Sequence, residues 1–298
     1  MGRHGVWTDK RLAQIADELK RWEIHVSVST VRRLLYQLGY ALHVNRKSLS
    51  KPHPDRDRQF QYIQQQRRQF ARQALPIISV DTKKKELVGL FKNPGRVWGS
   101  QPTPVSDHDF RSDAKGIAIP YGLLDLARKQ GSVFVGTSHD TPAFAVHNVA
   151  LWWRDHGCKN YPNADSLLIL ADSGGSNGAR VRAWKWQLQE QLVDPFGLTV
   201  TVCHYPTGAS KWNPIEHLLF SMISIHWAGI PLVSFDTIVR LIRQTKTKTG
   251  LRVFCRLVKQ FFPTGQKISK AQMRLLSLVP HEVLPAWNYT LSPRKNRN

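Results

Sequence analysis

The sequence predicts an α/β domain, a mixed sheet flanked by helices, set between an N-terminal helix pair and a basic helical C-terminal extension. Three observations carry this. Strand-length apolar runs such as LPIISVDT and LLILAD alternate with helix-length amphipathic stretches in the order strands, helix, strand, helix, strand, helix, the order of an α/β layer. At 298 residues, 41% of them hydrophobic, the chain can bury a sizeable core. Its charge of +22 is unevenly spread: residues 1–80 hold 15 basic and 6 acidic side chains, residues 81–227 hold 15 and 13, and residues 228–298 hold 13 and 2. Two basic arms around a nearly neutral middle suit a polyanion gripped from both sides. Nucleic acid is favoured over a membrane surface, for which no basic amphipathic helix with a clean apolar face stands out.

Taken in order, Thr8 caps a helix to about Trp22, with Leu12, Ile15, Ala16 and Leu19 on one stripe. Ser29 caps a second, with Val31, Leu34, Leu35 and Leu38 inward and Gly39 at its stop. Arg32, Arg33 and Gln37 are left outside, so residues 1–45 read as a helix-turn-helix whose exposed side chains are of the kinds that contact phosphates and bases. Residues 46–74 read as a linker, marked by Pro52 and Pro54, and a polar connecting helix. Residues 75–228 are the expected core. LPIISVDT ends in Asp81, KKKELVGLFKN forms a second strand, and 116–126 and 132–138 form two more. A helix opens at Pro142 and runs to about His156; then come LLILAD, a helix over 178–193, the strand 198–204, and a helix capped by Asn213 and opened by Pro214. Residues 229–298 are expected to be helical and basic.

Several classes are excluded or disfavoured. Cys158, Cys203 and Cys255 are far apart and form no CxxC, which argues against a disulfide framework or zinc knuckle and fits a reducing compartment. No apolar run approaches a membrane span, and the N-terminus lacks a signal-peptide pattern. There is no GxSxG elbow. The turn SGGSNG could cradle a phosphate, but it lacks the Lys-Ser/Thr of a nucleotide-binding loop.

The acidic residues point to metal chemistry. Phosphoryl transfer can be run by two divalent ions, and hard ions such as Mg2+ take carboxylate oxygens. Asp81 ends the first strand, Asp172 ends LLILAD, and Glu216 sits in the first turn of the helix after the last core strand. Each has a plain alternative: Asp81 pairing with Lys83–Lys85, Asp172 closing a turn, and Glu216 completing a capping box with Asn213. Asp140, before the helix at Pro142, is a fourth candidate or a cap. His204 and His217 flank the site as candidates for proton transfer, against the commoner outcome of a buried, satisfied histidine. Trp212 is read as core, with stacking on an unpaired base as the alternative.

The strings SVDTKKKELVGLFKNPGRVW, GTSHDTPAFAV, LLILADSGGSNG and TVCHYPTGASKWNPIEH, with NRKSLSKPHPDRDRQFQYI and the closing WNYT, resemble the Azoarcus-type group of bacterial insertion-sequence transposases. That group lies within the DDE transposases and retroviral integrases, and the resemblance spans about residues 10–290. It implies a ribonuclease-H-like core with its acidic triad at Asp81, Asp172 and Glu216, binding Mg2+ with Mn2+ as a substitute. It implies cleavage of double-stranded DNA at terminal inverted repeats, strand transfer into target DNA, and a homo-oligomer on DNA. Lys83, Lys84, Lys85 and Lys211 are expected phosphate contacts. The setting implied is the bacterial cytoplasm, at the nucleoid. Members of the group carry more sequence before the first helix, so MGRHGV reads as the start of an N-terminally shortened copy. Two rival readings stand beside this one: a non-catalytic DNA-binding remnant acting as a repressor, and a nuclease without strand transfer.

Overall fold

The computed structural model describes residues 10–42, 53–209 and 212–294. The chain divides into two compact units, residues 1–50 and 51–298. The first holds α1 (Leu12–Lys20) and α2 (Val28–Gln37). Thr8, the expected cap of the first helix, lies outside the described residues. Ser27 rather than Ser29 caps α2, its Oγ accepting from the Thr30 N–H at 3.1 Å. Ala16 and Val31 are buried, whereas Leu34 and Leu38, expected inward, are exposed. Two helices of two to three turns enclose too little volume to cover a four-residue stripe.

The second unit is built on one sheet of nine strands. Its strands are β1 (Ile77–Thr82), β2 (Glu86–Val88), β3 (Gly116–Asp125), β4 (Gln130–Gly136), β5 (Ser166–Ala171), β6 (Thr199–His204), β7 (Arg252–Val258), β8 (Leu278–Pro280) and β9 (Asn288–Leu291). The order is β7-β4-β3-β1-β5-β6-β9-β8, with β2 paired to β3 off this path. β1, β3 and β4 form an antiparallel meander, and β1, β5 and β6 run parallel. The stretch β4-β3-β1-β5-β6 has the strand order expected of a ribonuclease-H-like core. β1 and β5 sit at its centre because Ile77–Val80 and Leu167–Ala171 are apolar on both faces apart from Ser79, and both runs are fully buried.

Helices cover both faces. α4 (Pro142–Trp152) and α5 (Arg182–Leu188) pack Phe144, Val149, Trp152 and Trp184 against Ile78, Val80, Ile169 and Val202. On the opposite face α3 (Arg56–Arg72) lays Ile63 and Phe70 against Ile77, Leu168 and Leu170. Beside it a helical segment, a π-helical turn Glu216–Phe220 leading into α6 (Ser221–His226), packs with α7 (Phe235–Gln244) over β3, β4 and β7. Gly122 is needed there, since a Cβ would stand 2.5 Å from the Phe220 ring.

Three further expectations are corrected. Residues 83–93 were expected to be one strand, but only Glu86–Val88 is, because the Gly89 N–H turns out of the ladder to the Leu232 carbonyl at 2.9 Å. Among the described residues the C-terminal region is helical only at α7 and the short α8 (Lys270–Arg274), while β7 adds to one edge of the sheet and β9 with β8 to the other. In β7 the exposed Arg252, Phe254 and Arg256 alternate with inward Val253, Cys255 and Leu257, a period of two. α3, expected to be a connector, packs on the sheet and belongs to the second unit.

One buried polar pair ties α3 to both parts of the sheet. Gln59 Nε2 donates to Asn288 Oδ1 and to the His204 carbonyl, both at 2.8 Å. Asn288 Nδ2 donates back to Gln59 Oε1 at 2.7 Å and to the Val283 carbonyl at 2.8 Å. Asn288→Ala leaves the fully buried Gln59 with its Oε1 and one Nε2 proton unpartnered, its bond to the His204 carbonyl remaining, so urea denaturation should show a loss of about 1–3 kcal/mol. Unchanged stability would mean that Gln59 finds another partner.

Candidate active site

The register of two parallel strands makes the site. Val80 lies opposite Ala171, so the next residues, Asp81 and Asp172, sit side by side at the ends of β1 and β5, where neighbouring strands run about 4.8 Å apart. Opposite Asp81 on its other flank is Gly122, which has no side chain to crowd it. Glu216 lies on the π-helical turn that follows β6, outside the lining of the cleft but near enough for its charge to act on Asp81 and Asp172. Asp81, Asp172 and Asp140 line a cleft of about 420 Å3 with Lys84, Lys85, Gly174 and Asn177.

The carboxylates are close enough to oppose one another's ionisation. Burial, then the Asp172 charge, push the Asp81 pKa from 3.8 up to about 8, with Glu216 and Asp140 adding to the rise. A hydrogen bond from the Thr82 N–H at 2.7 Å opposes it. Asp172 is also raised, by burial and then against the Asn213 hydrogen bond, with Glu216 contributing. Among the described residues no three His, Cys, Asp or Glu side chains stand as a set that could hold a metal ion. The donor chemistry nonetheless suits one: crowded, partly buried oxygen ligands whose mutual repulsion a divalent cation would offset.

The expected phosphate contacts divide. Lys84 and Lys85 are exposed, Lys85 standing 3.7 Å from Asp140. Lys83 is buried: its Nζ donates to Glu86 at 2.8 Å and lies 4.5 Å from the Trp227 ring centre, so it does not face solvent as expected. Three lysines in a row read as one charged turn, yet Glu86 stands three residues on. Lys211 lies outside the described residues. Arg32, Arg33 and Gln37 are exposed on α2, as expected. Thr141, not Asp140, caps α4, accepting from the Phe144 N–H at 3.2 Å. Trp212, expected in the core, is half-exposed and stacks under the Arg56 guanidinium at 4.3 Å.

Two supports were not legible as such. Asn213, read as a helix cap, is fully buried and bridges the two acidic strands. Its Nδ2 donates to Asp172 Oδ1 at 3.1 Å, and its Oδ1 accepts from Ser79 Oγ. That commitment takes its side chain away from the capping box that would have explained Glu216. The second support is His204, which burial holds neutral, its pKa down to about 4. A carbonyl only accepts, so His204 Nδ1 carries the proton toward the Asp172 carbonyl at 3.0 Å. Its Nε2 then accepts from the Tyr289 hydroxyl at 3.2 Å, and Tyr289 accepts from the Trp184 indole N–H at 2.9 Å. His204 is thus the buried, satisfied histidine, and the WNYT string is the sequence signal for its partner.

A sheet of this order, with acids at the ends of its two central parallel strands and on the helix beyond the next strand, has the form of a DDE domain. The chain belongs to the Rhodopirellula transposase DDE domain family, whose model matches residues 3–293. No curated protein matches it. Among solved structures it is similar to the Mos1 transposase paired-end complex with left transposon end, at 16% identity and a TM-score of 0.48 over 78% of this chain and 65% of that one. The Mos1 strand transfer complex is matched at 16% identity and 0.47, over 78% and 64%. A mariner Mos1 paired-end complex with Mg is matched at 13% and 0.44, over 80% and 72%. The chain therefore spans slightly less than two thirds of the first two. No helix among the described residues is long and apolar enough to cross a membrane.

The raised Asp81 pKa has a definite sign. With metal chelated, the folded chain keeps the Asp81 proton up to about pH 8, while the unfolded chain releases it near 3.8. The fold binds the extra proton, so the Asp81 contribution to stability is full below about 3.8 and is lost as pH rises towards 8. Asp81→Asn should flatten this slope and raise Tm near pH 8 above wild type. Identical Tm–pH profiles would show that Asp81 ionises normally.

Proposed function

We propose that the chain is a DNA transposase that cleaves double-stranded DNA at the terminal inverted repeats of its element and joins the freed ends to target DNA. The observation that carries this is the register that sets Asp81 beside Asp172 in a lysine-rimmed cleft, in a chain of the transposase DDE domain family. Asp81, Asp172 and Glu216 would hold divalent cations, Mg2+ with Mn2+ as a substitute. When bound, these supply the charge that activates the attacking oxygen and stabilises the transferring phosphoryl group.

The chain's own residues do the rest. Asn213 fixes one oxygen of Asp172 against β1, leaving the other to the cleft. Neutral His204 anchors the Asp172 backbone from below, so the strand end does not yield to repulsion between the acids. Lys84 and Lys85 draw the DNA backbone to the rim. Residues 1–45, with Arg32, Arg33 and Gln37 outward, read the inverted repeats, while the basic residues 229–298 add phosphate contacts. Two DNA ends must be brought together, which calls for a homo-oligomer on DNA. The setting is the cytoplasm, at the nucleoid.

The test is strand transfer with oligonucleotides bearing the element's ends. Asp172→Ala and Glu216→Gln should each lower Mg2+-dependent cleavage and joining by more than about 100-fold. Mg2+ should raise the Tm of wild type and not of Asp172→Ala. Unchanged activity in Asp172→Ala would overturn the mechanism, and nicked ends that never join would favour a nuclease.

A further inference from the structure

The turn leaving β5, residues 173–178, has two features that neither the sheet nor the carboxylates require. Gly174 has extended backbone, φ −111° and ψ −178°, and a Cβ built on it would meet nothing within 4 Å. Neither conformation nor packing calls for glycine there. It lines the cleft, so the missing side chain leaves bare peptide at the cavity wall. Asn177 is 1% exposed and lines the same cleft, and its Nδ2 has no hydrogen-bond partner among the described residues. Its Oδ1 faces Ser176 Oγ at 3.5 Å. A buried amide without an acceptor is uncommon in native proteins and asks for a ligand. Gly175, at φ +72°, is the left-handed residue that turns the chain between the two.

We propose that this turn is a phosphodiester seat: Asn177 Nδ2 donates to a non-bridging phosphate oxygen of the DNA strand, and Gly174 lets that strand approach to contact with the peptide backbone. The inference rests on the DNA-processing reading of the cleft. The choice of side chain follows from the neighbours. A lysine on the floor of a cleft holding Asp81 and Asp172 would pair with them, as Lys85 stands against Asp140 at the rim. A neutral amide forms no salt bridge with the acids, and the Asn177 Nδ2, unlike that of Asn213, is not engaged by a carboxylate, so its protons stay available to an anion.

The test uses the full chain, 15N-labelled at asparagine, titrated with thymidylyl-thymidine, a single phosphodiester, in Mg2+ buffer. The side-chain amide of Asn177 is identified as the signal missing from Asn177→Asp. It should shift on titration, and Asn177→Asp, which keeps the shape and loses the donor, should weaken binding about tenfold or more. Gly174→Leu should block binding through the cradle alone, without touching a donor. A wild-type Asn177 amide that does not shift overturns the seat without recourse to any variant, and so do variants that bind as well as wild type. Persistent cleavage by Asp172→Ala would instead overturn the carboxylate mechanism, leaving the titration unaffected.

Discussion

The structure depends on one unfavourable juxtaposition. Parallel pairing of β1 with β5 brings the acid that closes each apolar run to the same level, so Asp81 and Asp172 are held side by side by the apolar ladders beneath them. Neither can move off without breaking the pairing of Ile77–Val80 with Leu168–Ala171, buried on both faces. The cost appears as the high proton affinity of Asp81, which a cation bound beside it would lower.

Around this pair the chain spends neutral groups rather than cations. Asn213 spans Ser79 and Asp172, and His204 is fixed as a donor to the Asp172 backbone by a one-way chain of hydrogen bonds running back to Trp184. Neutral donors hold the acids in place without discharging them. The nearest lysines are engaged otherwise, Lys83 with Glu86 and Lys85 near Asp140. Among the described residues no cation acts to lower the proton affinity of Asp81 or Asp172, which is the condition for binding a cation from solution.

Where burial is one-dimensional, the sequence was readable. β1, β3, β4, β5, β6 and α4 follow from runs whose length and apolarity leave few alternatives, and the order of those runs was enough to set Asp81 beside Asp172 at one end of one sheet. Side chains whose role is set by a distant partner were not. Asn213 looks like a cap because it precedes Pro214; only the fold brings Ser79 and Asp172 to it. Lys83 looks solvated until the chain folds Trp227 over it. β7 mixes arginine and phenylalanine on one face with valine, cysteine and leucine on the other, a pattern too brief to separate from a basic helix until β4 offers its edge.

The wiring of His204 also sets an order of events in the making of the protein. Gln59, His204 and Tyr289 meet in one cluster although 230 positions separate the first from the last. β9, which carries Asn288 and Tyr289, pairs with β6 only after some 290 residues have left the ribosome. The N-terminal helices, compact within the first 50 residues, meet no such delay. A nascent chain of this kind can have its N-terminal helices in shape long before its sheet is complete, and a chain interrupted before β9 would have the first without the second.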